Sequence, residues 1–273
     1  MADYKLVASD LDGTLLKNDQ TLSPENAAAI AEMKRRGIHF AVSTGRTYGE
    51  ILPALREDPS IRYYICSDGG LIYDKLEDKS YTACLEGELQ KLVLDTLFGC
   101  ECFFTAHCNG VSYYDGERAK PEEFRYNNVS PYFQELVAQC DEPARDFRAF
   151  CYRMEGIEQI TAFFHSDEEL ARCRQVLLDT GLVETAWSNP CYMELYHAQA
   201  GKGRGLLKLA QILGVSQDQT IAIGDTANDA SILRSAGLGL ATDNAKPELK
   251  AVADAVICSN EEHVAQYVLK HYL

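Results

Sequence analysis

The stretch VASDLDGTLL, Val7 to Leu16, places two aspartates two residues apart, directly after an apolar run. In an extended chain, residues i and i+2 point to the same side, so Asp10 and Asp12 are expected to face one space, and Gly13 allows the backbone to turn away. Two carboxylates this close repel each other unless a cation lies between them or one keeps its proton. A solvated Asp-Gly turn is the alternative, whereas an EF-hand calcium loop has its glycine at the sixth position. We interpret the stretch as the end of a buried strand that carries a functional site.

Composition and charge narrow the class of partner. The chain has 273 residues, room for one large domain or a core with a substantial insert, and a formal net charge of −15. This charge disfavours nucleic acid or an anionic membrane as a partner, but a metal ion and one lysine can still bind a small anionic substrate. No window is apolar enough to span a bilayer, and the opening MADYKLVASD lacks the basic start of a signal peptide. We predict a cytoplasmic chain, monomeric or weakly homo-oligomeric, whose ten cysteines are reduced thiols.

One cysteine cluster raises the alternative of a zinc site. The stretch GCECFFTAHCNG contains Cys100, Cys102, His107 and Cys108. The two-residue gap usual between paired zinc-binding cysteines is missing. We therefore predict a buried strand here.

The first part of the chain alternates apolar strands with helices. KLVAS, IHFAVS and RYYICS are predicted strands, a helix is predicted from Ser23 as N-cap to Gly37, and another over about Thr47 to Arg56. This alternation is typical of a doubly wound, Rossmann-like α/β fold with a parallel sheet covered on both faces. Ligands of such sheets bind beyond the carboxyl ends of the strands.

Residues 83–194 have a different character. They hold 16 of the 26 aromatic residues and short alternating stretches such as QITAFFHS, VETAWS and CYMELY. We predict an inserted α+β domain here, with a half-covered sheet, and a discontinuous core domain over 1–82 and 195–273. The α/β pattern returns in the second core segment, with a final helix predicted over about Glu261 to His271.

Three further stretches carry polar residues where strands meet helices. STGR, Ser43 to Arg46, supplies a hydroxyl and backbone amides of the kind that bind anions. AGKGRG places Lys202 close to a helix start, although an exposed linker lysine fits equally well, and the glycine spacing matches no nucleotide-binding pattern. IAIGDTANDASIL concentrates Asp225, Asn228 and Asp229 in one turn, more hard oxygen ligands than helix capping requires.

The motifs DLDGT, STGR, GKG and GDTAND, in this order, resemble the four motifs of the haloacid dehalogenase-like hydrolases. The chain is most similar to their Cof-type phosphatase branch, in which an α/β cap is inserted between the second and third motifs. The segment SAGLGLATDNAKPELKAVADAV is similar to that branch almost throughout. The resemblance implies an Mg²⁺-dependent phosphatase of small phosphorylated metabolites, sugar phosphates first.

The resemblance also implies the catalytic roles and the metal ligands. Asp10 would be the nucleophile that forms an aspartyl-phosphate, and Asp12 the general acid and then the general base. For this, Asp12 must hold a proton beside an ionised neighbour. Mg²⁺ would be bound by the Asp10 carboxylate, the Asp12 carbonyl and Asp225, with Asp229 supporting it indirectly or through water.

The phosphate group would be held by the remaining motif residues. Thr44 and the backbone amides of Leu11 and Gly45 would bind its oxygens. Lys202 would neutralise developing charge, and Asn228 would orient the lysine and the phosphoryl group. These assignments come from the family resemblance.

Two positions depart from the branch. Its usual Asn-Gly-Ala run reads Asp68-Gly69-Gly70 here, and a usual glycine near the C-terminus is His263. Neither lies in the four motifs. The sequence leaves two alternatives open for each of two residues. Asp68 either contacts the substrate or the cap, or is a turn residue without a role. Arg46 is either a substrate contact or part of a surface ion pair.

Two other functions remain as alternatives. Phosphomannomutases resemble the chain in nucleophile motif and cap type, but a mutase must hold a bisphosphate, and acidic residues outnumber basic ones about twofold in 83–194. A non-catalytic ligand sensor would be expected to have lost Asp10 or Asp12, and both are present.

Overall fold

The computed structural model describes residues 3–186 and 190–273. Its strands are β1 (Leu6–Ser9), β2 (His39–Ser43), β3 (Tyr63–Cys66), β4 (Leu71–Asp74), β5 (Lys79–Thr82), β6 (Cys102–Cys108), β7 (Val111–Asp115), β8 (Glu142–Ala144), β9 (Gln159–Phe164), β10 (Val183–Ala186), β11 (Tyr192–His197), β12 (Thr220–Gly224), β13 (Leu238–Ala241) and β14 (Ala255–Val256). Its helices are α1 (Pro24–Arg35), α2 (Pro53–Glu57), α3 (Gly87–Phe98), α4 (Pro121–Tyr126), α5 (Pro131–Cys140), α6 (Phe147–Tyr152), α7 (Asp167–Leu178), α8 (Lys202–Leu213), α9 (Ala230–Ser235), α10 (Pro247–Lys250) and α11 (Val264–His271).

The described residues divide into two compact units. The first unit comprises those within Met1–Gly45, Ile51–Tyr81 and Gly201–Leu273. The second unit comprises those within Arg46–Glu50 and Thr82–Ala200. The short segment Arg46–Glu50, which the sequence analysis assigned to the core, thus groups with the residues of the insert.

The first unit is built on an eight-stranded sheet in the order β14-β13-β12-β1-β2-β3-β4-β5. The strands from β14 to β3 pair in parallel, and β4 pairs with β3 antiparallel. The predicted α/β fold with a parallel sheet is confirmed. Because β12, β1 and β2 are neighbours, the loops that follow them lie side by side at one edge of the sheet.

Apolar side chains bury both faces of this sheet. Leu6 and Ala8 of β1 pack in one cluster with Leu206 and Leu209 of α8. Val7 of β1 points the other way and is also fully buried. A strand buried on both faces reads as a continuous apolar run, which is the pattern that identified β1 in the sequence.

The second unit contains a six-stranded sheet in the order β10-β11-β9-β6-β7-β8. Its pairs are antiparallel except β7 with β8. Helices α3, α6 and α7 contribute to the main apolar cluster of this unit. On the opposite face, Phe124 of α4 and Phe133 of α5 pack on Phe103 and Phe163. The sheet is therefore more fully covered than the sequence predicts.

The strand predicted in GCECFFTAHCNG is β6, and all seven of its residues are buried. The ten cysteines are thiols. Within residues 3–186 and 190–273, the acidic, cysteine and histidine side chains that converge as a candidate metal site are aspartates of the first unit. The predicted strand VETAWS is described over Val183–Ala186, and its last two residues lie outside the described residues.

Two predicted helices are shorter than expected. Helix α2 begins at Pro53, because Thr47 to Glu50 form a turn in which the Glu50 carboxylate accepts from the Thr47 amide. Helix α11 begins at Val264, because His263 adopts a left-handed conformation with φ of 64°. None of the helices in the described part of the chain has the length and apolar character that a bilayer span requires.

Candidate active site

Four loops bring the predicted site residues to one edge of the first unit. Asp10 directly follows β1, Thr44 follows β2 and Asp225 follows β12. Lys202 opens α8, which packs over the face of the same sheet. The sequence separates these residues by up to 215 positions, and the parallel topology brings their loops together.

The DLDGT stretch forms a single wide turn. The Leu15 amide donates to the Asp10 carbonyl at 3.2 Å, and the Leu16 amide donates to the Leu11 carbonyl at 3.0 Å. Gly13 has φ of 76°, and a Cβ there would lie 2.5 Å from Asp225 Oδ2. Glycine is therefore needed both for the backbone conformation and for the close approach of Asp225.

Lys202 lies at the centre of the site. Its Nζ is 2.8 Å from Asp10 Oδ1 and 2.6 Å from Asp229 Oδ1. All three side chains are buried. Burial alone would lower the pKa of Lys202, but the carboxylates of Asp10, Asp229 and Asp68 outweigh it and raise the pKa well above its ordinary value. The lysine is therefore a fixed positive charge rather than an exposed linker residue.

Asp229 organises the loop after β12. Its second carboxylate oxygen accepts from the backbone amides of Asp225 and Thr226 at 3.0 and 3.2 Å. The Asn228 side chain accepts from the Thr226 hydroxyl at 2.6 Å. On this loop, the side chain that contacts Lys202 is thus Asp229, whereas the family resemblance assigned the orientation of the lysine to Asn228.

Three carboxylates converge without enough positive charge between them. Asp10, Asp225 and Asp229 each offer an oxygen within 4.8 Å of the others. Burial raises the pKa of Asp10 well above its ordinary value, with Asp229 adding to the shift and Lys202 opposing it. Burial and Asp229 likewise raise the pKa of Asp225 to about 6. One lysine does not balance three carboxylates, and hard oxygen donors at this spacing fit a small divalent cation such as Mg²⁺.

Thr14 was missed by the sequence analysis. It is fully buried, and its hydroxyl donates to Asp225 Oδ1 at 3.2 Å. The Asn244 side-chain amide donates to the Gly13 carbonyl at 2.7 Å and so holds the same turn from another loop. Thr14 lies inside the quoted DLDGT motif, where its position was a usable signal, whereas nothing local marks Asn244.

The loops after β2 and β3 are joined through Asp68. The Asp68 amide donates to the Thr44 carbonyl at 3.1 Å, and the Asp68 carbonyl accepts from the Gly201 amide at 2.7 Å. Asp68 has φ of 47° and is only 1% exposed. It is therefore a buried connector next to the lysine-bearing loop, not a solvated turn residue. Thr44, with 1% exposure, is held in place by this link.

Arg46 and Glu50 belong to the second unit. The Arg46 guanidinium donates to the Tyr132 hydroxyl at 3.0 Å and to the Glu50 carbonyl at 3.1 Å. Burial and the neighbouring Asp141 carboxyl group raise the pKa of Glu50 to about 8. Burial raises the pKa of Asp141 as well. This carboxyl pair, in which Glu50 is buried and Asp141 is half-buried, was not anticipated, because its members lie 91 positions apart and neither belongs to a motif.

His263 makes contacts with the start of helix α1. Its ring Nδ1 is 2.9 Å from the hydroxyl of Ser23, the N-cap of α1, and 3.6 Å from Glu25 Oε2. With φ of 64° it occupies a conformation that glycine adopts easily, which explains the glycine usual in the resembling branch. The imidazole thus links the start of α11 to the start of α1, in the first unit.

The chain is similar to known proteins over nearly its whole length. The family model described as haloacid dehalogenase-like hydrolase matches residues 7–269. Phosphatase YwpJ of Bacillus subtilis is 31% identical, over 98% of this chain and 100% of the relative. The 5-amino-6-(5-phospho-D-ribitylamino)uracil phosphatase YwtE of the same organism is 29% identical, over 98% of each chain.

A solved structure shows the same fold. A haloacid dehalogenase-like hydrolase from B. subtilis superposes with a TM-score of 0.80 at 27% identity, covering 98% of this chain and 100% of that one. Both units of the present chain are included in this match, since they jointly account for its length.

Proposed function

This chain belongs to the haloacid dehalogenase-like hydrolases, in their Cof-type phosphatase branch, and from that premise we propose that it is an Mg²⁺-dependent phosphatase of small phosphorylated metabolites. The observation that carries the proposal is the contact of Lys202 Nζ with Asp10 Oδ1, 2.8 Å apart, beside Asp225 and Asp229. The ten cysteine thiols fit a reducing compartment, and we place the activity in the cytoplasm, in a monomer or weak homo-oligomer.

In the first step, a carboxylate oxygen of Asp10 attacks phosphorus while the bond between phosphorus and the ester oxygen breaks. Asp12 donates a proton to the departing alkoxide, which leaves as the alcohol. The product is an aspartyl-phosphate on Asp10. Lys202, 2.8 Å from the nucleophile, neutralises charge that develops on the phosphoryl oxygens.

In the second step, Asp12 takes a proton from water, whose oxygen attacks phosphorus. The bond to Asp10 breaks, which restores its carboxylate and releases inorganic phosphate. Thr44 and the backbone amides of Leu11 and Gly45 are proposed to hold the phosphoryl oxygens, and Asn228 to orient them. The burial of Thr44 and its link to Asp68 support a rigid position for this loop.

Mg²⁺ would be held by the carboxylates of Asp10 and Asp225 and the Asp12 carbonyl, with Asp229 supporting the ligands. When bound, it would supply positive charge next to the phosphoryl group. Asp229 already fixes the loop of Asp225 through two amide hydrogen bonds. The raised pKa values of Asp10 and Asp225 support a site that is incomplete without a cation.

We propose that residues 83–194 act as the cap that selects the substrate. Most of the aromatic side chains there fill its own clusters, as Phe103, Phe104 and Phe163 do. Tyr126 and Tyr132 are 46% and 44% exposed. The acidic balance of this segment disfavours bisphosphates and thus supports hydrolysis over a mutase reaction. We propose small monophosphates as substrates, with sugar phosphates first and pyridoxal phosphate or flavin mononucleotide second. The relative YwtE supports this range, because its name describes a substrate with a phosphorylated ribityl chain on a uracil ring.

The test is phosphate release from a panel of sugar, nucleotide and cofactor phosphates, with Mg²⁺ and with EDTA. Release in Mg²⁺ and none in EDTA is the expected result. Full activity in EDTA would overturn the metal requirement. Exchange of residues 83–194 with the corresponding segment of YwpJ should move the order of kcat/KM across the panel, and an unchanged order would show that the cap is not the selector.

A further inference from the structure

The first unit has a cavity where its parallel strands begin, at the end of the sheet opposite to Asp10. Its volume is about 400 Å³, within the range of small-molecule sites. It is lined where β2 and β3 begin, by Ile38 to Phe40 and Pro59 to Tyr63, and by the residues that follow β4. The active-site loops follow the other ends of these strands. The five residues of β2 separate the two places by roughly 15 Å along the strand.

The walls of the cavity are apolar. Phe40 and Ile61 are buried and line it from the two strands. Leu76 also lines it and is 70% exposed, the most exposed of the large hydrophobic side chains in the described part of the chain. Gly37, at the end of α1, leaves open space where a side chain would stand. An apolar body could thus be covered here without any change in the core.

The charged groups of the lining are all cationic. Lys34, Arg62 and Lys75 line the cavity, and no acidic residue does so among the described residues. Arg62 is neutralised by Asp74 through two hydrogen bonds of 2.7 Å. The two lysines donate to uncharged groups. Lys34 Nζ donates to the Pro59 carbonyl at 2.7 Å. Lys75 Nζ donates to the carbonyls of Arg56 and Asp58 and lies 3.5 Å from the Tyr64 hydroxyl.

The lysines place two ammonium charges near each other. Burial lowers the pKa of Lys75; the carboxylate of Asp58 opposes this shift, and the neighbouring Lys34 adds to it. An ammonium group has three donors, so Lys34 retains donors beyond its contact with Pro59. In a chain with a net charge of −15, a lining that combines two lysines with apolar walls is a local exception.

We propose that this cavity binds a small amphipathic organic anion. Its flat or apolar body would lie on Phe40 and Ile61 under Leu76, and its carboxylate or phosphate would lie by Lys34 and Lys75. The site is separate from the phosphatase centre, so a ligand here does not occupy the place of the substrate. Strand β2, which begins at the cavity and ends at Ser43, next to Thr44, is the direct physical connection between the two places.

The probe for this site is 8-anilino-1-naphthalenesulfonate, a flat aromatic anion whose fluorescence rises in an apolar environment. We expect saturable binding of one probe per chain to the full-length protein at neutral pH. Lys34→Met, which keeps the apolar stem, should weaken binding by about tenfold, the effect expected for one charged hydrogen bond. Lys75→Met removes the second positive charge without removing a ligand hydrogen bond, and it should weaken binding less than Lys34→Met does. Leu76→Glu adds a repelling charge at an exposed position and should weaken binding at least as much. Lys208→Met, an exposed lysine on α8, is the matched control and should bind as the wild type does.

Two outcomes would overturn the proposal. The first is the absence of saturable binding. The second is an affinity equal to that of the wild type in Lys34→Met, Lys75→Met and Leu76→Glu, which would place the probe elsewhere on the protein. Because the readout is fluorescence, a failure here is independent of any failure of the phosphatase activity.

Discussion

Each of the two units holds carboxyl groups close together within itself, but the negative charge of these groups is balanced differently in the two units. In the first unit, Asp10 and Asp229 face the ammonium of Lys202 at 2.8 and 2.6 Å. In the second unit, Glu50 faces Asp141, and burial together with that carboxyl group raises the pKa of Glu50 to about 8. The raised pKa favours the protonated form of Glu50 near neutral pH.

The presence of a fixed cation distinguishes a carboxylate cluster suited to catalysis, in the first unit, from a structural carboxyl pair, in the second unit. A cluster with a fixed lysine keeps its carboxylates available as nucleophile and metal ligands once a divalent cation is bound. A pair that shares a proton is stable only while the proton is retained. Perturbed carboxyl groups therefore indicate an active site here only where a cation and several loops converge with them.

The largest effect is expected from removing the nucleophile of the first cluster. Asp10→Asn should abolish turnover of p-nitrophenyl phosphate, a loss on the order of 10⁵-fold or more, because no other group of the cluster can form the covalent intermediate. The measurement is kcat at saturating Mg²⁺, with circular dichroism as the control for folding. Residual turnover above about a hundredth of the wild-type rate would contradict the role of Asp10.

Asp12 lies beside the first cluster in sequence but is not one of its three converging carboxylates. Asp12→Asn should keep Mg²⁺ binding but lose proton transfer, with a fall in kcat of roughly 10²–10⁴-fold for alkyl phosphates. The loss should be smaller for aryl phosphates, whose leaving group needs less protonation. Equal losses for both ester types would exclude Asp12 as the general acid.

The sequence predicted the first cluster well because its members lie at the ends of strands. Asp10 and Asp225 follow short apolar runs, and the parallel topology that those runs imply brings their loops together. The part it missed depends on contacts between distant positions. Asp141 has no local signal, and the left-handed conformation of His263 that shortens α11 accompanies its contact with Ser23, 240 positions away in the chain.

The excess negative charge of the first cluster should make the melting temperature of the protein depend on pH and on Mg²⁺. Asp225 has a pKa of about 6 against an ordinary value of 3.8, so without metal its contribution to stability is complete below pH 3.8 and is lost as pH rises through 6. In EDTA, the melting temperature should therefore fall across this range. At 100 times its dissociation constant, Mg²⁺ should add about 2.7 kcal/mol, which corresponds to roughly 5–10 °C, and more at pH 7.5 than at pH 5.

The variant Asp225→Asn tests whether the Mg²⁺-dependent increase in melting temperature comes from this cluster. It should remove most of the Mg²⁺-dependent increase in melting temperature, because one of the ionised ligands is lost. The Thr14 hydroxyl keeps a partner in the asparagine carbonyl. An identical melting temperature with Mg²⁺ and with EDTA in the wild type would show that the aspartates do not bind the cation.

The smallest effect is expected from the carboxyl pair of the second unit. The pKa of Glu50 is raised to about 8 from an ordinary value of 4.5, so the contribution of the protonated form is complete below pH 4.5 and is lost as pH rises through 8. Glu50→Gln keeps a carbonyl oxygen for the Thr47 amide and removes the titration. It should raise the melting temperature at pH 9 by about 2–4 °C, the shift typical of 1 kcal/mol in a protein of this size, and leave it unchanged at pH 5. Glu122→Gln, at an exposed position on α4, is the control and should change neither value. If Glu50→Gln lowers the melting temperature at pH 9, the pair is balanced by a positive charge after all, and the contrast between the two units fails.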